Sequence, residues 1–177
     1  MTVIASWGGT SSNAYIDHAS ANSFVTTSIY NYDAWTAATT VQREAALIMA
    51  AVDIDAREYV GGRYYYDQRL KFPRMLRLSF PWNRTAVSST VFSVEYQRMQ
   101  LDVERASCYQ ALQIIRNSGR NQDQERQMNG ITAMSEQIGP ISKSVTYGKS
   151  GSVDSRFAPE AFNLLAPWRD GRKAYRG

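Results

Sequence analysis

The sequence predicts a mainly α-helical protein, built as a small helical bundle with a β-hairpin and with extended N- and C-terminal arms. Two long segments with apolar residues at helical spacing predict the main helices. A shorter stretch alternates apolar and polar residues on both sides of Gly139-Pro140, which predicts two strands joined by a turn. With 177 residues, the chain is long enough for one domain with extensions.

The N-terminal third is predicted to hold an arm and two helices. Residues 1–13 are small, polar and contain glycine, so we expect a loose arm. Asp17 is placed to cap a short helix that runs to about Thr26. The clearest helix follows Thr39, which with Gln42 forms a capping-box pattern. Apolar residues occupy a wide sector of this helix, which predicts a central helix contacted on more than one side.

The helical core is predicted to span residues 14–130, with an irregular excursion at 63–92 in which two prolines prevent a continuous helix. Short strands are expected around 74–80. A second long helix is predicted over 94–117, with one apolar stripe. The hairpin is assigned to 131–148 and needs a surface to pack on, because an isolated hairpin is marginally stable in water.

Residues 149–177 are predicted to be a flexible linker followed by a C-terminal docking tail, with Pro159 starting a short helix. This short helix carries an apolar patch, and apolar surface is costly to leave in water, at about 25 cal/mol per Å². We therefore expect it to anchor in a groove of another subunit, with the basic residues beyond it pairing with acidic protein or with DNA. A disordered, solvated tail is the alternative. The residues assigned to docking are Phe162, Leu164, Leu165, Pro167, Trp168, Arg169, Arg172, Lys173 and Arg176.

Composition narrows the function classes. The net charge of +4 permits an acidic partner such as DNA without requiring one. A single cysteine, Cys108, allows no internal disulfide, and the chain shows no leader and no apolar run long enough for a membrane span. Cys108 and the single histidine, His18, suit packing and helix-start positions better than catalysis. We expect an intracellular protein without enzymatic activity, cofactor or metal.

Aromatic and basic residues interleave between Arg63 and Arg84. One interpretation is a stacking platform for single-stranded nucleic acid, where rings meet bases and cations meet phosphates. The other, favoured on composition, is a protein interface, where tyrosine, tryptophan and arginine are also enriched. The candidate contact residues are Arg63, Tyr65, Arg69, Lys71, Arg74, Arg77, Trp82 and Arg84.

Four stretches together resemble the head-to-tail connector, or adaptor, proteins of tailed bacteriophages. They read "YDAWTAATTVQREAALIMAAVDID", "GGRYYYDQRLKFPR", "VEYQRMQLDVERASCYQAL" and, after the Gly-Pro hairpin, "NLLAPW". Members of this group are also described as DnaT-like single-stranded-DNA-binding proteins. The resemblance covers about residues 13–168, and its most specific pieces lie in 35–55 and 68–74.

The resemblance implies a structural protein of the virion neck, assembled in the host cytoplasm. Its subunits would form a homo-oligomeric ring of about 12 copies below the portal protein, with double-stranded DNA passing through the central channel. The ring would join the portal to a tail terminator, stopper or tail tube protein, and the C-terminal segment would dock on the portal. No membrane partner is implied. The alternative function is a single-stranded-DNA-binding protein that uses the aromatic and basic surface.

Overall fold

A computed structural model describes residues 2–75, 89–118, 133–138, 141–146 and 157–169, with side chains for 2–75, 96–118 and 157–169. The predicted fold class is confirmed: helices dominate, and a two-stranded antiparallel hairpin accompanies them. The elements are α1 His18–Ser28, α2 Asp33–Ala37, α3 Thr40–Asp55, β1 Gly62–Arg63, β2 Arg74–Met75, α4 Ser89–Ser118, β3 Ala133–Ile138, β4 Ile141–Thr146 and α5 Pro159–Arg169.

The helix starts follow the capping signals of the sequence. The Asp17 carboxylate accepts a hydrogen bond from the Ser20 backbone N–H at 2.9 Å, which satisfies a free donor in the first turn of α1. Thr39 and Gln42 form the complete capping box of α3, with each side chain accepting a hydrogen bond from the other's backbone N–H. Both predicted caps are therefore confirmed.

Helix α4 is the centre of the bundle and packs against α1, α2, α3 and α5. Its C-terminal half joins α1, α2 and the first half of α3 in one apolar cluster, which includes Trp35 and Leu112. A second cluster joins Val103 of α4 to the end of α3 and to α5. Helix α4 starts at Ser89, earlier than the predicted residue 94, and α2 was not predicted because its five residues are too few to show a period.

The prediction of a loose arm at residues 1–13 is wrong for the described residues 2–13. Asn13 donates its backbone N–H to the Ile4 carbonyl, and its side-chain oxygen accepts the Ile4 N–H at 2.7 Å. Trp7 makes edge-to-face contacts with Tyr15 and Tyr96, at centroid distances of 6.1 and 6.3 Å. The segment is held because an aromatic side chain and an asparagine tie it to the chain's own core.

The docking role expected for Leu165 and Trp168 is also corrected. Both side chains are buried in the chain's own second apolar cluster, with exposed fractions of 0% and 4%. The Trp168 indole N–H donates to Asp102 at 3.3 Å, and its carbonyl accepts the Val60 N–H at 3.0 Å. Because α5 forms from Pro159 to Arg169 and packs on α4, these two residues complete the core instead of anchoring elsewhere.

The other residues assigned to docking differ in placement. Phe162 is 42% exposed, and Leu164, Pro167 and Arg169 are half-buried. Arg172, Lys173 and Arg176 lie outside the described residues.

The hairpin pairs β3 with β4 from Ala133↔Thr146 to Ile138↔Ile141. Within the described residues each of these strands pairs only with the other. The predicted turn residues, 139 and 140, lie outside the described part of the chain. None of the described helices combines the length and the apolar character needed to span a bilayer.

Candidate functional site

Residues 64–73 connect β1 to β2 and form a loop, called here the 64–73 loop, that is fixed by one buried amide. The Gln68 side chain is 2% exposed; its oxygen accepts the Tyr65 N–H at 2.9 Å, and its nitrogen donates to the Leu70 and Pro73 carbonyls at 2.8 and 3.0 Å. A buried amide with donor and acceptor both satisfied holds the surrounding backbone in one conformation. The loop is therefore preorganised before any ligand binds.

A half-buried carboxylate at the end of α3 is the second anchor of the loop. Asp55 accepts the Lys71 backbone N–H at 3.0 Å and the hydroxyl of Tyr15. Burial raises the pKa of Asp55, against the hydrogen bonds from Tyr15 and Lys71, which lower it. The Lys71 ammonium donates to the Arg57 carbonyl at 2.7 Å. Asp55 thus ties α3, the N-terminal segment and the loop together.

The outer side of the loop presents two tyrosines between two arginines. Tyr66 is 95% exposed and Tyr65 is 44% exposed, and the side chains of Arg63 and Arg69 are exposed. The sequence analysis named Tyr65 and omitted Tyr66. The run of three tyrosines was the available signal, but in an irregular loop no periodicity tells which ring points outward.

The Tyr65 ring is supported by half-buried aromatic side chains. Tyr64 contacts Tyr65 and Tyr96, at centroid distances of 4.7 and 5.7 Å. Burial raises the pKa of Tyr96 to about 12, and the neighbouring tyrosines add to the shift. The Tyr65 ring lies against Gly8, where an added Cβ would be 2.6 Å from Cε2. The N-terminal segment, residues 2–13, therefore contacts the Tyr65 ring and supports it.

Basic side chains lie at the base of the loop beside the acidic Asp55 and the exposed Asp67, and some of them have a structural role. The Arg74 guanidinium donates to the carbonyls of Tyr59, Val60 and Gly61, which fixes the turn after α3. Desolvation lowers the pKa of Arg74. Lys71 is likewise bound to backbone. These two predicted contact residues therefore build the site, whereas Arg63 and Arg69 are presented to solvent.

A second group of cations and rings involves α5. The Arg169 guanidinium lies 4.6 Å from the centroid of the half-exposed Phe162 ring. Arg57 lies 3.9 Å from the centroid of Phe157 and 6.0 Å from that of Phe162. Such contacts orient the guanidinium groups without neutralising them. The remaining predicted contact residues, Arg77, Trp82 and Arg84, lie outside the described residues.

Cys108, one of the two residues considered for catalysis, lies in the apolar core. Cys108 is buried in α4, and burial raises its pKa to about 12, so it is a neutral thiol at physiological pH. Within the described ranges no three histidine, cysteine or acidic side chains are grouped as they would be around a metal ion. What the geometry provides is a rigid surface of rings and cations, which suits binding to a polyanion.

Comparison with known proteins gives one family. The family model described as "Putative DnaT-like ssDNA binding protein" matches residues 1–176, which is nearly the whole chain. Neither the curated proteins nor the solved structures contain a match to this sequence.

Proposed function

Because this chain belongs to the "Putative DnaT-like ssDNA binding protein" family, we propose that it binds single-stranded DNA on the outer side of the 64–73 loop. The observation that carries the proposal is Tyr66, which is 95% exposed beside the half-exposed Tyr65. A tyrosine ring left in water on a rigid loop has no role in the core of its own chain. Its face is available to an unstacked base.

The loop offers rings for the bases of a single strand and cations for its phosphates. Stacking of a base on an aromatic ring contributes about 1–3 kcal/mol, and every base offers a face to stack. The exposed guanidinium groups of Arg63 and Arg69 stand on either side of the tyrosines in sequence, where they can pair with phosphates. Because Gln68 and Asp55 already fix the backbone, little ordering entropy is lost on binding.

The test is fluorescence anisotropy with a labelled oligothymidine at low salt. Tyr66→Ala should weaken binding about tenfold or more, since the stacking of one base is lost. Replacing both Arg63 and Arg69 with Gln should lower the slope of log K against log salt by about 1.4, for two lost phosphate contacts.

Tyr30→Ala is the matched control, because Tyr30 is 97% exposed and lies between α1 and α2. Its replacement should leave the affinity unchanged. The proposal would be overturned by absence of binding at low salt, or by equal losses in the Tyr30 and Tyr66 variants.

We also propose a second function, that of a ring-forming adaptor at the head-to-tail junction of a phage. The sequence resemblance supports it, and so does the hairpin. The β3–β4 register puts three pairs of positions on one side of the ribbon: two apolar pairs, Met134↔Val145 and Ile138↔Ile141, with the charged pair Glu136↔Lys143 between them. An isolated two-stranded ribbon is marginally stable in water, so another surface is expected to pack on it, and a neighbouring subunit would supply that surface.

In this second function, the surface of this chain that docks on the portal is the outward part of α5. Phe162 and Arg169 are its centre, because Leu165 and Trp168 are buried in the core. Electron microscopy of the protein mixed with purified portal should show rings attached to the portal. Phe162→Glu should abolish the attachment while Tyr30→Glu preserves it. Free portal in every image, with wild-type protein in excess, would refute this function.

A further inference from the structure

The outer side of α3 is apolar, although the helix already buries its other side in the core. Val41, Met49 and Val52 are 64%, 55% and 63% exposed. Ala45 and Ile48 are half-buried and lie between them, since residues three and four apart share one side of a helix. The opposite side supplies the core residues Ala46, Leu47, Ala50, Ala51 and Ile54.

This stripe, Val41, Ala45, Ile48, Met49 and Val52, is unusual for a surface helix. A surface helix normally shows one apolar side and one polar side, and single exposed apolar residues are common. A row of five over three turns is instead typical of a helix that contacts a second protein surface. The charge beside the stripe is negative: Glu44 lies one turn from both Val41 and Ile48.

A complementary surface exists on α4 of the same chain. Leu101 is 49% exposed, and Arg98 and Arg105 are exposed one turn away on each side. Met99 and Val103, which precede and follow Leu101 by two residues, point the other way into the second apolar cluster with α3 and α5. The leucine and its two arginines therefore lie on the side of α4 that faces away from α3.

We propose that a second copy of this chain seats its Arg98–Leu101–Arg105 surface on the α3 stripe. Apolar side chains then meet, and the arginines of one copy approach Glu44 of the other. The two surfaces lie on opposite sides of the α3–α4 pair, so each copy keeps one surface free after pairing. Such head-to-tail contacts repeat from copy to copy and give a closed ring or a filament. The interface rests on the ring-forming function proposed above, for which it names the contact between subunits. It uses no residue of the 64–73 loop and neither Phe162 nor Arg169 of α5, so loss of this interface can be told apart from loss of DNA binding or of portal attachment.

The test measures molecular mass by light scattering after size-exclusion chromatography of the full chain. Wild-type protein should form species larger than a dimer at high micromolar concentrations. Val52→Asp and Leu101→Asp change exposed positions, so circular dichroism should show folded protein, and each should weaken association about tenfold or more. Tyr30→Asp adds the same charge outside both surfaces and should associate as wild type does.

Mixing the two variants identifies the geometry. The Val52→Asp protein keeps its α4 surface and the Leu101→Asp protein keeps its α3 stripe, so an equal mixture should form a one-to-one dimer and nothing larger. A wild-type protein that stays monomeric would overturn the proposal. So would a Leu101→Asp protein that associates as strongly as wild type, because the stripe would then pair with a second stripe.

Discussion

Replacing Trp168 with alanine tests whether this residue belongs to the core of its own chain or to a docking surface. The side chain is 4% exposed and lies among apolar residues of α3, α4 and α5. A buried tryptophan removes about 150–250 Å² from water, which at about 25 cal/mol per Å² is worth about 4–6 kcal/mol. Substitutions of this type cost about 3–5 kcal/mol when the cavity collapses in part. We therefore expect Trp168→Ala to lower the free energy of unfolding by about 4 kcal/mol.

The loss should be measured by urea denaturation followed by far-ultraviolet circular dichroism, which does not depend on the tryptophan itself. A loss of this size is a large fraction of the 5–15 kcal/mol typical of a domain. In a thermal scan it should lower the midpoint by about 10 °C. Part of the loss comes from Asp102, whose carboxylate no longer accepts the indole N–H.

Phe162→Ala is the matched control on the same helix. Its ring is 42% exposed and contacts mainly the guanidinium groups of Arg169 and Arg57, so its removal should cost about 1 kcal/mol. Equal losses in the two variants, or a Trp168→Ala protein as stable as wild type, would show that α5 does not belong to the core. The docking interpretation of Trp168 would then be restored.

Three further outcomes follow from single sites. Gly8 has a φ of +74° and lies against the Tyr65 ring, so Gly8→Ala should destabilise the protein by about 1–2 kcal/mol and weaken oligothymidine binding. Gly62→Ala is the control and should do neither, because there is open space around Gly62. Burial raises the pKa of Asp55 in the folded state, so the stability gained by protonating Asp55 is complete below the ordinary aspartate pKa and is lost as the pH rises through the raised pKa. Urea midpoints measured over a pH series should therefore show wild type losing stability relative to Asp55→Asn between these two pKa values. Cys108 should react with a thiol reagent only at the rate of unfolding, and immediate reaction in the native state would contradict its burial.

Local signals in the sequence predicted the helices well, because those signals act within one turn. Asp17 and Thr39 cap the helices that follow them, and each cap needs only residues two or three positions away. The hairpin was predicted by alternation and a Gly-Pro turn, which are also local. The wide apolar sector of α3 was visible as well, and it proved to consist of a buried side and an exposed stripe.

The candidate site was predicted only in part. Arg63, Tyr65 and Arg69 are exposed as a binding surface requires, but Lys71 and Arg74 donate to backbone carbonyls of the segment that follows α3. An arginine in a basic run carries no local mark that tells a phosphate contact from a structural hydrogen bond. The difference depends on where the carbonyls at residues 57–61 lie, and that is decided by the packing of α3 against the rest of the chain.

The fold class, the main helices with their caps, the hairpin and the aromatic and basic segment could all be predicted from the sequence. They follow from propensities and periodicities that hold over a few residues. The burial of Leu165 and Trp168 in the core and the exposure of the Tyr66 ring are visible only in the folded chain. Burial depends on contacts between segments that are distant in sequence, and an apolar C-terminal helix has the same residue pattern whether it packs on α4 of its own chain or on another protein.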